Sequence, residues 1–192
     1  MNRSRHQASL PLSLILPWLV GCRPSGDPQP LQFDANAAAR AALAHHDSDK
    51  DGVLSTAEWQ SSPALAKAAP RIDANKDGRL TPQEIEARLR AYQSQPAYLG
   101  LMMHVHRQEQ PVPDVKIRIV PAPYLGEGFA AYTGTADSDG RVSVARSDGS
   151  LRDILPPGLY TVEIDTAGSS LRQGLEVATD VPDGRTIRLQ IP

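Results

Sequence analysis

Two twelve-residue segments carry oxygen-bearing side chains at matching positions, and such side chains are the usual ligands of a hard cation. Each segment has a carboxylate or amide at positions 1, 3 and 5, a glycine at 6, a hydroxyl at 9 and a glutamate at 12. The candidate ligands are Asp47, Asp49, Asp51, Val53, Ser55 and Glu58 in loop 1, and Asp73, Asn75, Asp77, Arg79, Thr81 and Glu84 in loop 2. A glutamate that binds with both oxygens raises the coordination number above six, which suits Ca²⁺ better than Mg²⁺. The sequence therefore predicts two Ca²⁺ sites, with the position-7 residues contributing backbone carbonyls.

This order of ligands resembles the EF-hand, in which a calcium-binding loop joins two helices. The loops begin 26 residues apart (73 − 47), and one glycine in each loop, Gly52 or Gly78, permits the sharp turn. Leu54 and Leu80, at position 8, are placed to pair as the two loops of an EF-hand pair do. Loop 1 offers four carboxylates and loop 2 offers three, so we expect loop 1 to bind Ca²⁺ more tightly.

Helices are expected on both sides of each loop. Residues 37–44 are rich in alanine and should form the helix that enters loop 1, capped by Asp34 or Asn36. Pro82 directly follows Thr81, where proline suits the first position of the last helix. Only residues 59–72 separate the loops, so the helices between them must be short.

A different pattern begins near residue 97, where apolar and polar residues alternate in short runs separated by Gly and Pro turns. About seven such strands without helices indicate an all-β antiparallel sandwich. We therefore predict an α+β protein with two domains, a helical EF-hand pair at 33–95 and a β-sandwich at 97–192. Because only the helical domain has calcium ligands, we expect calcium removal to destabilise it and leave the sandwich unaffected.

The strand region also resembles the carboxypeptidase regulatory-like, or transthyretin-like, modules of bacterial surface proteins. The resemblance lies in residues 111–115 (PVPDV), 135–142 (TADSDGRV) and 155–162 (LPPGLYTV). Those modules are non-catalytic, so the resemblance implies a sandwich that contacts a partner, either an envelope protein or a polysaccharide.

The N-terminus resembles that of bacterial lipoproteins. A basic start and a short apolar run have the proportions of a signal peptide at 1–21, and Leu19-Val20-Gly21-Cys22 matches the lipobox. The resemblance implies that Cys22, the only cysteine, becomes the lipidated N-terminus and anchors the protein to a membrane. Residues 22–32 then read as a polar tether. Arg23 follows the cysteine, and in the bacterial sorting pattern this favours the outer over the inner membrane of the cell envelope.

Composition and motifs restrict the possible functions further. A net charge of −2 without a basic run argues against nucleic-acid binding. The chain has no Gly-rich phosphate loop, no G-x-S-x-G and no H-E-x-x-H, so we expect a non-enzymatic protein.

Two alternatives to this interpretation rest on other residues. In the first, calcium is purely structural and the sandwich binds polysaccharide or peptide through an aromatic platform of Tyr124, Phe129 and Tyr132. In the second, His104 and His106 belong to a metal-dependent hydrolase. They lie two apart on one strand and so project from the same face, opposite the apolar one.

Overall fold

A computed structural model describes residues 30–166, 169–182 and 186–192. The predicted signal peptide, Cys22 and residues 22–29 of the predicted tether lie outside these ranges. No helix in the described part of the chain is long and apolar enough to cross a membrane.

Four α-helices form the first part of the described chain: α1 (Ala35–His46), α2 (Thr56–Gln60), α3 (Pro63–Ile72) and α4 (Pro82–Gln93). The Asp34 side chain caps α1 by accepting a hydrogen bond of 2.9 Å from the Ala37 amide. Pro63 and Pro82 open α3 and α4, where a missing amide hydrogen leaves no bond unmade. Pro70 lies in the last turn of α3 and does not break that helix, so α3 continues to the start of loop 2.

Ten strands follow: β1 (Leu99–Gly100), β2 (Met102–Arg107), β3 (Gln110–Pro111), β4 (Lys116–Pro121), β5 (Tyr132–Ala136), β6 (Arg141–Arg146), β7 (Ile154–Leu155), β8 (Gly158–Thr166), β9 (Ser169–Val177) and β10 (Thr186–Gln190). Strands β1 and β7 form a small separate pair. The others form one sheet in the order β10-β2-β6-β5-β4-β8-β9, with β3 beside β2. All pairs are antiparallel except β10 with β2. The predicted α+β class, helices first and then an antiparallel sheet, is confirmed.

The sheet curls around an apolar interior to which alternate residues of its strands contribute. Ile119 pairs with Val162, and Met103 pairs with Val142, and all four side chains are buried. Curling brings the two ends of the sheet together, so that the side-chain amide of Gln173 in β9 donates a 3.0 Å hydrogen bond to the Gln190 carbonyl in β10. The predicted sandwich therefore takes the form of an open barrel.

The helices pack against the outer face of this sheet, and α3 crosses β9 at Gly174. A Cβ at Gly174 would lie 1.8 Å from the Pro63 carbonyl oxygen, so only glycine allows this approach of helix and strand. The buried apolar residues of the helices and those of the sheet form one contiguous core.

A buried carboxylate joins the two parts. Glu176 of β9 is fully buried and accepts hydrogen bonds from Arg71 at 3.0 Å, from Arg88 at 2.7 Å and from the Tyr92 hydroxyl at 2.8 Å. Arg88 also forms a two-pronged ion pair with Asp180. Burial raises the pKa of the Tyr92 phenol well above its ordinary value, so the hydroxyl keeps the proton that it donates. Because of these contacts, we predict that the helices and the sheet unfold together. This replaces the expectation from the sequence that calcium removal destabilises only the helices.

Candidate metal centre

Loop 1 joins α1 to α2, and its first carboxylate follows the last residue of α1 directly. Asp47, Asp49 and Glu58 each place a carboxylate oxygen within 4.8 Å of the others. Among the described residues, this is the one group of three acidic, His or Cys side chains close enough to hold a metal ion. Loop 1 therefore brings the predicted ligands at positions 1, 3 and 12 together.

The position-12 glutamate is held over loop 1 by hydrogen bonds at both of its oxygens. Oε1 accepts from the Ser48 amide at 2.7 Å and from the Ser48 hydroxyl at 2.9 Å, while Oε2 accepts from the amide and hydroxyl of Ser55, both at 2.8 Å. These bonds, first those from Ser55 and then those from Ser48, lower the pKa of the Glu58 carboxyl to about 2. The side chain is therefore ionised and fixed in position.

One carboxylate oxygen in loop 1 lacks a partner. Oδ2 of Asp47 accepts a hydrogen bond of 3.0 Å from the Gly52 amide, whereas Oδ1 is buried and has no hydrogen-bond partner. A buried acceptor without a partner is costly, and a cation bound at this oxygen would remove the cost. The side chains at positions 1, 3, 5, 9 and 12 offer only oxygen, so the residues present fit Ca²⁺.

Loop 2 repeats the arrangement between α3 and α4. Glu84 accepts at Oε2 from the amide and hydroxyl of Thr81, at 2.9 and 2.8 Å, and at Oε1 from the Ala74 amide at 3.1 Å. Asp73 accepts from the Gly78 amide at 2.9 Å, as Asp47 does from Gly52. Asn75 and Asp77 share a side-chain hydrogen bond of 3.0 Å.

The backbone of both loops follows the same path. Positions 4 and 6 are left-handed in each, with φ of 60° at Lys50, 61° at Lys76, 87° at Gly52 and 81° at Gly78. At position 8 the backbones of Leu54 and Leu80 exchange two hydrogen bonds of 2.9 Å, and both side chains are fully buried. The predicted pairing of these leucines is confirmed, and it places the two loops side by side.

Three contacts that join loop 1 and α2 to loop 2 were not anticipated from the sequence. The Arg79 guanidinium of loop 2 forms an ion pair with Asp51 of loop 1. Arg79 was expected to contribute only its backbone carbonyl to loop 2, but its side chain also places a positive charge beside loop 1. Thr56 Oγ1 and Trp59 Nε1 of α2 donate to the Gly78 carbonyl at 2.9 and 3.1 Å. No local pattern signals these contacts, because each depends on how the loops are paired.

The residues of the alternative interpretations lie elsewhere. Tyr124, Phe129 and Tyr132 are buried, so the alternative in which they form an exposed aromatic platform is wrong: they belong to the apolar core instead. His104 and His106 lie on one face of β2, as predicted, with ring centres 6.0 Å apart. Within the described ranges no third ligand accompanies them, and the residues in register with His104 are Arg188 and Arg141, whose charge disfavours a cation.

The comparison with known families agrees with the geometry of loop 2. Residues 71–89 match the family model described as EF hand. The match runs from the end of α3 through loop 2 into α4, which is the helix–loop–helix unit described above. This match to the EF-hand family suggests Ca²⁺ binding. No curated protein matches the chain.

Proposed function

We propose that the protein binds two Ca²⁺ ions, one in each loop, and that loop 1 is the tighter site. The observation that supports this most is the equivalence of the loops: in each, the position-12 glutamate is turned over the loop and the position-1 aspartate accepts from the position-6 amide. The ion in loop 1 would be held by the side chains of Asp47, Asp49, Asp51, Ser55 and Glu58 and by the backbone carbonyl of Val53. The equivalent residues of loop 2 would hold the second.

Isothermal calorimetry of calcium-free protein tests the stoichiometry and the ranking. We expect two ions per chain, and one ion in either Glu58→Gln or Glu84→Gln, because each substitution removes one charged bidentate ligand. Glu127→Gln alters an exposed glutamate away from both loops and should leave two ions bound. One ion per wild-type chain, or a tighter remaining site in Glu58→Gln than in Glu84→Gln, would contradict the proposal.

We further propose that the protein is a lipoprotein of the bacterial cell envelope, anchored through Cys22 and located at the outer rather than the inner membrane. The lipobox ending at Cys22 and the polar residues after it support this proposal. Several acyl chains on one residue would give a stable anchor, whereas one chain alone gives marginal binding. In cells, Cys22→Ser should move the protein from the detergent phase to the aqueous phase, and Ser61→Ala should not. Unchanged partitioning of the Cys22 variant would refute the anchor.

Within this proposal the sheet serves as a non-enzymatic interaction module. The candidate calcium ligands all lie in the two loops, and β9, at one end of the sheet, pairs with a neighbouring strand on one side only. Pull-down from native membranes, with and without calcium, would identify the partner. An activity lost on replacing His104 would favour the hydrolase alternative.

A further inference from the structure

The open barrel ends in two strands, β9 and β10, that face each other without pairing. Each is hydrogen-bonded to a neighbour on one side only, β9 to β8 and β10 to β2. The one bond that the described residues form across the gap comes from a side chain, Gln173, to the Gln190 carbonyl. A free strand edge carries unpaired amides and carbonyls and is a ready template for another strand. We call this gap between β9 and β10 the seam.

A cavity of about 350 Å³ lies along the seam. Both free strands line it, together with Lys67 of α3. The apolar residues that contribute are Val162, Leu175, Val181, Ile187 and Leu189. The seam is therefore bounded by unpaired backbone on two sides and by apolar side chains within.

The two faces of the seam differ in chemistry. Leu189 pairs with Val105 and points into the barrel, whereas Arg188 pairs with His104 and lies on the outer face. Leu175 likewise lies on the inner face, while Lys67 reaches the seam from α3, which crosses the outer face. The inner face of the seam is therefore apolar except for Gln173, which is in register with the inward-facing Val162, and the outer face carries lysine and arginine.

The charge on the outer face is not compensated within the described ranges. The acidic residue at the cavity, Glu176, is occupied by Arg71 and Arg88. No carboxylate of the described residues forms an ion pair with Lys67 or Arg188. The seam thus presents two cations that a ligand with negative charge would complement.

We propose that the seam binds an extended segment of another protein in which apolar and acidic residues alternate. A strand has period 2, so such a segment would direct its apolar side chains into the barrel and its carboxylates toward Lys67 and Arg188. Its backbone would pair with the free edges of β9 and β10. The proposal rests on the proposed interaction role of the sheet, and not on calcium binding.

The test uses the full chain in detergent and a blocked eight-residue peptide of alternating valine and glutamate. Fluorescence anisotropy of the labelled peptide should show saturable binding. A valine–lysine peptide should bind at least about tenfold more weakly, because its charge is reversed. The valine–glutamate peptide N-methylated at alternate residues should also lose about tenfold or more, since the amides on one side of its strand can no longer donate to the strand edge that they face.

Variants of the chain locate the site. Lys67→Gln with Arg188→Gln should weaken binding of the acidic peptide by about tenfold, whereas Lys116→Gln, an exposed lysine on β4, should leave it unchanged. Hydrogen exchange should slow in residues 170–175 and 186–190 when the peptide is bound.

The outcomes separate this inference from the calcium proposal. If the valine–glutamate peptide does not bind to a chain that still takes up two Ca²⁺ ions, the seam proposal is overturned and the calcium proposal is not. Equal binding of the N-methylated peptide would mean that the segment does not pair with both strand edges, and would overturn the proposal as well. Slowed exchange away from β9 and β10 would place the peptide elsewhere and refute the proposal.

Discussion

Replacing Glu176 should weaken the whole fold, because this one carboxylate joins α3 and α4, the two helices that flank loop 2, to the edge of the sheet. Glu176→Gln keeps the shape of the side chain but removes its negative charge. Arg71 and Arg88 then lose the carboxylate with which they form ion pairs. Removing one partner of a buried ion pair costs about 3 to 5 kcal/mol. Arg71 is 29% exposed and therefore partly screened, so we take the lower end, about 3 kcal/mol. For a chain of this size that corresponds to a fall in Tm of about 6 to 12 °C.

Glu163→Gln is a matched control in the neighbouring strand. Glu163 also lies between two arginines, Arg118 at 3.0 Å and Arg172 at 3.8 Å, but its side chain is 30% exposed. Exposed ion pairs contribute at most about 1 kcal/mol, so Tm should fall by no more than about 2 to 4 °C. Residue type and the number of arginine partners are the same, so the two glutamates differ in burial and in the hydrogen bond that Glu176 also accepts from Tyr92.

Thermal unfolding in saturating calcium, followed by the helical and strand signals of circular dichroism, measures both effects. In the wild type the two signals should melt together, and chelator should lower the shared Tm, because each ion at 100 times its dissociation constant adds about 2.7 kcal/mol to the folded state. In Glu176→Gln the helical signal should respond to chelator more than the strand signal. Equal Tm values for Glu176→Gln and Glu163→Gln, or separate transitions in the wild type, would refute the reasoning.

Three further predictions concern contacts within the fold. Gly174→Ala should destabilise the protein by about 1 to 3 kcal/mol or more in denaturant unfolding, because the new methyl group meets the first carbonyl of α3, whereas Gly100→Ala, which has open space, should not. Arg79→Gln should tighten calcium binding at loop 1 in calorimetry, since it removes a cation paired with Asp51, and an unchanged or weaker affinity would contradict this. A hydrogen bond from Arg88 lowers the pKa of the Asp180 carboxyl, so its contribution to stability is present above about pH 4 and is lost as the pH falls, and Asp180→Asn should flatten the acid side of the stability profile.

Local pattern was sufficient for most of the secondary structure: about seven strands were predicted and ten are present, of which β1, β3 and β7 are only two residues long. The helix before loop 1 was predicted at 37–44 and spans Ala35–His46, because Asp34 provides the cap that the sequence displays. The strands were recognised by period 2, which depends only on which face of a strand is buried. The prediction of an exposed aromatic platform was wrong, because the exposure of a side chain depends on which other parts of the chain cover it. Tyr124 belongs to a short 3₁₀ turn that α1 contacts, and no local signal shows that contact.

The sequence by itself determined the two loops that we propose to bind calcium, since all the side chains that could hold one ion lie within twelve consecutive residues and the glycine sets the turn. Only the tertiary structure decided how those loops are connected to the rest. Arg71 and Arg88 reach Glu176 across 105 and 88 positions of the chain, and Arg79 reaches Asp51 across 28. The seam likewise exists only because the sheet curls until its two edge strands, β9 and β10, face each other. Contacts of this range follow from packing of the whole chain, and no spacing within a segment encodes them.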